Sequence, residues 1–339
     1  MIKRTRETLL SEFSELRQRI PSIRARVDGR KYVEELKNAT ESELQHSAAY
    51  WAHLAHAGTL DKVMSLFDRD GPHETFELLA IARNIFENLV WLRLIQGNRN
   101  FGLVFFAHLL RGQEEHHKAF IQKIKDEVDL FEVADQIDSE AVISLASSFR
   151  SIDNPQGDAD RFLAERNKQA DTLDKMIRRE FSLYAEQATI NGYGYQAHLL
   201  REKAIPIHEE QLAIIQKSAA DLAAKLPTLL DAKLQNLATS KWNWSDRAKD
   251  VGMEKHYRFI YSYTSRLLHS TPINIITDKS LSEEEQVTIL DYIVLGCSDI
   301  LALIEQFTIP GMVEVLMINF GDEDHSSGTS VPPDPVIDW

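Results

Sequence analysis

A single cysteine, Cys297, in a chain of 339 residues leaves no partner for an intrachain disulfide and no ligand set for a cysteine zinc site. Cysteine scarcity of this kind belongs to reducing compartments and predicts a cytoplasmic protein. Proline and glycine are also sparse, at 10 and 14 residues, which excludes collagen-like and low-complexity chains. Long apolar runs are missing: the longest, 103–110 even counting His108, falls far short of the roughly 20 residues that span a bilayer. No membrane partner is expected, and residues 1–30 lack the continuous apolar core of a secretion signal. Basic charge is in deficit, since 38 Lys and Arg against 52 Asp and Glu give a net charge of −14, so the broad basic face of a duplex-binding protein is not foreseen. Phosphate loops, nucleophile elbows, dinucleotide-binding glycine patterns and the His-Glu-x-x-His zinc motif are all absent from the sequence.

What is present is helical periodicity. Leu9, Phe13, Leu16 and Ile20 recur at three and four, as do Phe76, Leu79, Ala80, Phe86, Leu89, Val90 and Leu94, whereas period-two alternation is nearly absent. An all-α multi-helix bundle follows. Thr40 with Glu43 and Ser282 with Glu285 have capping-box spacing ahead of periodic runs. Pro21, Pro72, Pro155, Pro206, Pro272 and Pro310 fall between runs, where a missing amide donor does least harm. Helices are predicted near 3–20, 30–39, 41–67, 74–96, 100–131, 139–149, 159–191, 195–203, 208–238, 245–269 and 283–306. The organisation expected is a pair of amphipathic helices in 1–40, a first helical half in 41–150 and a second half in 159–306, with 151–158 either a hinge between domains or equally a loop inside one bundle. Residues 321–339 carry five acids and no Lys or Arg, the composition of a disordered acidic tail.

The most informative stretch is 241–275, KWNWSDRAKDVGMEKHYRFIYSYTSRLLHSTPINI. Tyr257, Tyr261, Ser265 and His269 follow at intervals of four, which places them on one helical stripe. The neighbours Phe259, Ile260, Leu267 and Leu268 imply a packed helix, so the stripe's hydroxyls and imidazole require partners. Arg83 and Glu87 lie one turn apart on another apolar helix, and the Tyr-Ser-His stripe is the natural place to find their counterparts. The same pair could equally be an ordinary surface ion pair, and Tyr257, Ser265 and His269 an ordinary structural polar core. The 241–275 stretch is locally basic: six Lys and Arg against three Asp and Glu give +3, with Trp242, Trp244, Tyr257 and Tyr263 as stacking surfaces and Arg258 among the cations.

The Arg83–Glu87 helix, the Trp242 and Trp244 connector, and the Tyr257, Ser265, His269 helix ending in Ser-Thr-Pro together resemble a widespread family of uncharacterised bacterial all-helical proteins, over roughly 45–305. More distantly the arrangement is similar to the HEPN superfamily, whose helical bundles dimerise and in many members cleave RNA in toxin–antitoxin and antiphage systems. That pattern has Arg, four to six residues, then His; this chain has Arg266 three positions before His269 and Arg258 eleven before it. The resemblance implies an HEPN-like core and a metal-independent endoribonuclease acting on RNA or a nucleotide. His269 would serve as general acid or base, and Arg266 or Arg83 would stabilise phosphorane charge. No cofactor is required by this chemistry. It also implies a homodimer or protein partner.

Two other function classes remain. One is a non-enzymatic binding or scaffold module built on a structural polar core. The other is a carboxylate–histidine metal bundle, because Glu43 with His46 and Glu114 with His117 have Glu-x-x-His spacing and Glu87 precedes the second pair by 27 residues.

Overall fold

The computed structural model describes residues 4–30, 34–67, 75–148, 155–261, 263–264 and 281–308, and among them all regular structure is helical. In chain order the helices are α1 (Arg6–Arg30), α2 (Glu34–Lys37), α3 (Glu41–Gln45), α4 (Ala48–Phe67), α5 (Thr75–Gly97), α6 (Phe101–Ser148), α7 (Pro155–Arg179), α8 (Ala185–Asn191), α9 (Tyr193–Leu199), α10 (Ile205–Leu229), α11 (Ala232–Thr239), α12 (Trp244–Asp250), α13 (Glu254–His256) and α14 (Glu283–Gln306). Two π-helical turns, Leu200–Ala204 and Tyr257–Tyr261, continue α9 into α10 and extend α13. Both capping boxes form, at Thr40 with Glu43 and at Ser282 with Glu285.

Helix ends depart from the sequence expectation where tertiary packing overrides a local stop signal. α1 runs through Pro21 to Arg30, because Ile20, Ile23 and Val27 continue one buried stripe across the proline. The helices predicted at 100–131 and 139–149 are one 48-residue rod, about 72 Å long. The stretch 132–138 that separated them carries Ala134 and follows Phe131, both fully buried. Pro206 sits just inside α10, and the wide turn at Leu200–Ala204 precedes it where a regular turn would set its ring against a carbonyl. Conversely, the helix predicted over 245–269 is broken at Gly252.

Two apolar cores form, and they do not divide at 151–158 as the two expected halves would. The larger takes in α1, α4, α5, the first ten residues of α6, the end of α10, α11, α12 and α14. The smaller joins Ile124, Val128, Phe131 and Ala134 of α6 to Leu173 and Ile177 of α7 and to α8, α9 and Leu200. α6 belongs to both.

α14 packs between α5 and α1. It is long and apolar enough to cross a membrane by length and composition, and half of its most apolar window is buried within the bundle. Its Gly296 meets Ile85 so closely that an added methyl would collide. Gly102 at the start of α6 is equally confined, by the backbone of Ala48.

The smaller core is fastened by Glu127, a fully buried carboxylate. It accepts hydrogen bonds from Ser182 Oγ at 2.9 Å, Leu183 N at 2.6 Å and Tyr184 N at 3.2 Å, with Lys123 Nζ 3.5 Å away. These are the amides leading into α8, where a carboxylate satisfies unpaired donors and complements the helix dipole. The turn it holds contains Phe181 at φ 54°.

Candidate functional site

The site begins with a turn that only glycine forms without strain. α12 starts under Asn243, whose Oδ1 accepts from Ser245 N at 2.9 Å. It stops with Gly252 at φ 73°, Met253 N donating to Ala248 O at 2.6 Å and Gly252 N to Lys249 O at 3.1 Å. This Schellman-type ending redirects the chain so that the π-helical turn at Tyr257–Tyr261 lies against α5.

There two distant stretches meet. Arg83 Nε donates to Glu87 Oε1 at 3.0 Å, and Arg83 Nη2 donates to the Tyr261 hydroxyl at 2.7 Å. The guanidinium carbon also lies 4.3 Å from the centre of the Tyr261 ring. Tyr257 stacks on Tyr261 at 4.9 Å between centroids and faces Phe86 of α5 at 6.1 Å. The Arg83 and Glu87 side chains keep 31% and 26% of their surface, so the pair is fixed yet open to solvent. Because the Tyr261 oxygen accepts from Arg83, its own proton is free to be donated elsewhere.

One turn further along α5, Trp91 continues the stripe of residues 83 and 87 and stacks on Trp242 at 3.9 Å and 13°. His108 of α6 meets Trp242 edge-on at 4.9 Å, and Trp244 does so at 5.7 Å. His108 Nε2 donates to Leu237 O at 2.9 Å, and burial holds this imidazole below the usual histidine range. Arg111 binds the carbonyls of Ala238, Thr239 and Ser240 at 3.1, 2.9 and 2.6 Å, which secures the end of α11 and the connector after it.

These contacts correct the sequence reading of the tryptophans. One face of Trp242 is covered by Trp91, and the Arg247 guanidinium lies 5.9 Å from the ring, so Trp242 and Trp244 serve as packing anchors rather than as platforms for a base. Phe259, read as packed, is 59% exposed and stacks on Tyr263 at 5.3 Å. A π-helical turn alters which positions face inward, a change that periodicity alone does not register. The Tyr263 hydroxyl donates to Glu285 Oε1 at 2.8 Å; burial and that carboxylate push the phenol up to about 12. Arg258 points outward and pairs with Glu254 at 3.0 Å. Ser265, Arg266 and His269 lie outside the described residues, as do Leu267, Leu268 and the 321–339 tail.

The metal alternative does not assemble. Glu43 is engaged by its cap residue Thr40, and His46 Nδ1 lies 2.5 Å from Ser42 O. Glu87 holds Arg83, and Glu114 accepts from Lys118 at 2.7 Å and Gln216 at 3.1 Å. His117 lies instead near His116 and His208, at 5.9 and 6.1 Å between ring centroids. Among the described residues no three His, Cys, Asp or Glu side chains form a group able to hold a metal ion. Glu-x-x-His spacing aligns two side chains on one helix, but these two helices turn the pairs toward different neighbours.

Donors predominate beside this centre. Among the described residues Trp242 Nε1 and the Nε and Nη1 of Arg247 are buried without an acceptor, while Arg247 Nη2 pairs with Asp250 at 3.1 Å. Arg247 follows Trp242 by five residues, and α12 packs on both α5 and the 257–261 turn. The sequence singled out Trp242 for its ring and not for its N–H, and it counted Arg247 only among the cations of 241–275, since an arginine five residues after a tryptophan carries no special pattern.

No family model, no curated protein and no solved structure matches this chain.

Proposed function

We propose that this chain is a helical binding module for a phosphate-bearing ligand, RNA or a nucleotide, with Arg83 as the anion-binding group. The observation that carries the reading is the Arg83 guanidinium, oriented on one side by Glu87 and on the other by Tyr261 while about a third of its side chain stays exposed. Orienting a guanidinium before the ligand arrives lowers the ordering cost of binding, and its remaining N–H groups suit phosphate oxygens. The acceptor-free donors of Arg247 and Trp242 on the adjoining connector support the same ligand chemistry. The similarity to HEPN proteins is the source of RNA as the preferred candidate.

Fluorescence anisotropy with a labelled single-stranded RNA and with a labelled nucleotide tests the reading. Binding should weaken at least tenfold in Arg83→Ala, less in Arg83→Lys, and fall with added salt. Equal affinity of wild type and Arg83→Ala would remove Arg83 from the site.

A second reading is metal-independent RNA cleavage. In sequence His269 follows Tyr261, already bonded to Arg83, by eight residues. RNA incubated with the protein in EDTA should then be cut, and His269→Ala should abolish cutting.

A further inference from the structure

At the opposite end of α14 lies a cationic group that the proposed site does not use. Arg30, the last residue of α1, is fully buried. Its Nη2 donates to Ile304 O in the last turn of α14, while Nε and Nη1 have no acceptor among the described residues. The carbonyl end of a helix offers only about half an elementary charge, so most of the buried positive charge is uncompensated. Burial and neighbouring Arg26 lower the guanidinium to about 10, and no carboxylate contributes.

His56 of α4 belongs to the same place. Its ring stacks on Phe307 at 4.1 Å between centroids, and Arg30 Cζ lies 5.2 Å from the centre of the same Phe307 ring. His56 Nδ1 donates to Ala52 O at 2.6 Å, which leaves Nε2 buried and without a partner among the described residues. The charged or titratable groups acting on His56 are Arg30 and His53, both cationic or able to become so; burial and these two drive its imidazole down to about 3. A buried guanidinium with two idle nitrogens beside a buried imidazole with one is a set of groups lacking a shared counterpart.

We propose that Arg30 and His56 form a buried oxyanion site, filled by a carboxylate or phosphate whose oxygens accept from Arg30 and whose charge draws a proton onto His56 Nε2. With Nδ1 already donating, Nε2 can face an anion favourably only when it carries a proton. Binding is therefore accompanied by proton uptake and strengthens as pH falls. The oxyanion has two sources. One is free phosphate. The other is the chain itself, which continues from Phe307 and Thr308 into residues 309–339, with six acids and no Lys or Arg.

The test is thermal unfolding of the full chain in inorganic phosphate against chloride at matched ionic strength, at pH 6 and pH 8. A free-ligand site raises the melting temperature by several degrees in phosphate, more at pH 6 than at pH 8. The rise should disappear in Arg30→Met and persist in Arg83→Ala, which separates this site from the centre on α5. A site filled by the chain gives no phosphate response in wild type. It gives one in a full-length variant with Glu314→Gln, Asp322→Asn, Glu323→Gln, Asp324→Asn, Asp334→Asn and Asp338→Asn. Absence of a response in both proteins, or an equal response in Arg30→Met, overturns the proposal. Should Arg30→Met not fold, nitrogen-15 spectra of the histidines in the responding protein decide. Phosphate should raise the titration midpoint of His56, identified by its loss in His56→Gln, by at least one pH unit; an unmoved midpoint rejects the site.

Discussion

Arg83 and Tyr261, separated by 178 positions, share a 2.7 Å hydrogen bond from Nη2 to the phenol oxygen, with the cation 4.3 Å from the ring centre. The pair ties α5 to the turn at Tyr257–Tyr261, beside the contact of Tyr257 with Phe86. α5 supplies the charge, and the chain redirected at Gly252 supplies the group that aims it. Tyr261→Phe removes the bond but keeps the ring, and should cost about 1 kcal/mol in urea denaturation. A double-mutant cycle with Arg83→Ala should return a coupling of about 0.5–1.5 kcal/mol; independent effects would show that the two side chains do not restrain each other.

Glu127 should matter more to stability than any exposed acid. Glu127→Ala leaves the Leu183 and Tyr184 amides and the Ser182 hydroxyl without their acceptor. A loss of about 3 kcal/mol is expected. Hydrogen exchange should locate it, with amides of 183–197 losing protection before those of α5 and α14. Uniform loss across both cores would contradict this.

Gly102 is held against the backbone of Ala48, where a methyl group has no room. Gly102→Ala should therefore destabilise by about 1–3 kcal/mol despite the usual preference of helices for alanine. Gly112→Ala, on the same helix with nothing within 4 Å of the added carbon, should be neutral or stabilising. The two melting temperatures, compared directly, check the contrast.

His108 gives a pH dependence whose sign is fixed. Burial lowers its folded value below the unfolded value of 6.5, so the native state binds fewer protons there than the unfolded chain does. The associated stability is complete above about pH 6.5 and declines as pH falls below it. Unfolding free energies between pH 8 and pH 5 should decline more steeply for wild type than for His108→Gln. Parallel curves would mean that His108 is not held neutral.

The helical class and both capping boxes were legible because they depend on spacing within a few residues. So was the shared face of Arg83 and Glu87, which helical geometry alone dictates. Tyr261 as the partner of Arg83 rests on a contact across the chain, and nothing local in either segment specifies its geometry. The fates of Trp242 and Trp244 were misjudged for the same reason: an aromatic residue in a basic connector reads identically whether it meets a base or Trp91. The stop signal at Pro21 was overruled by buried Ile23 and Val27, and the gap left at 132–138 was closed by buried Phe131 and Ala134; their burial depends on neighbours far away in sequence. Arg30 carried no signal and His56 read as an ordinary amphipathic-helix residue, because isolated cations in such helices usually reach solvent.

The long rod α6 has one further implication. Since its first turns are built into one hydrophobic centre and its middle into another, melting of the lesser centre removes α7, α8 and α9 from the rod while α10 and its anchored end stay in place. The molecule can therefore loosen at one extremity while the Arg83 surface stays assembled, much as a beam clamped at its base tolerates the removal of a distant brace.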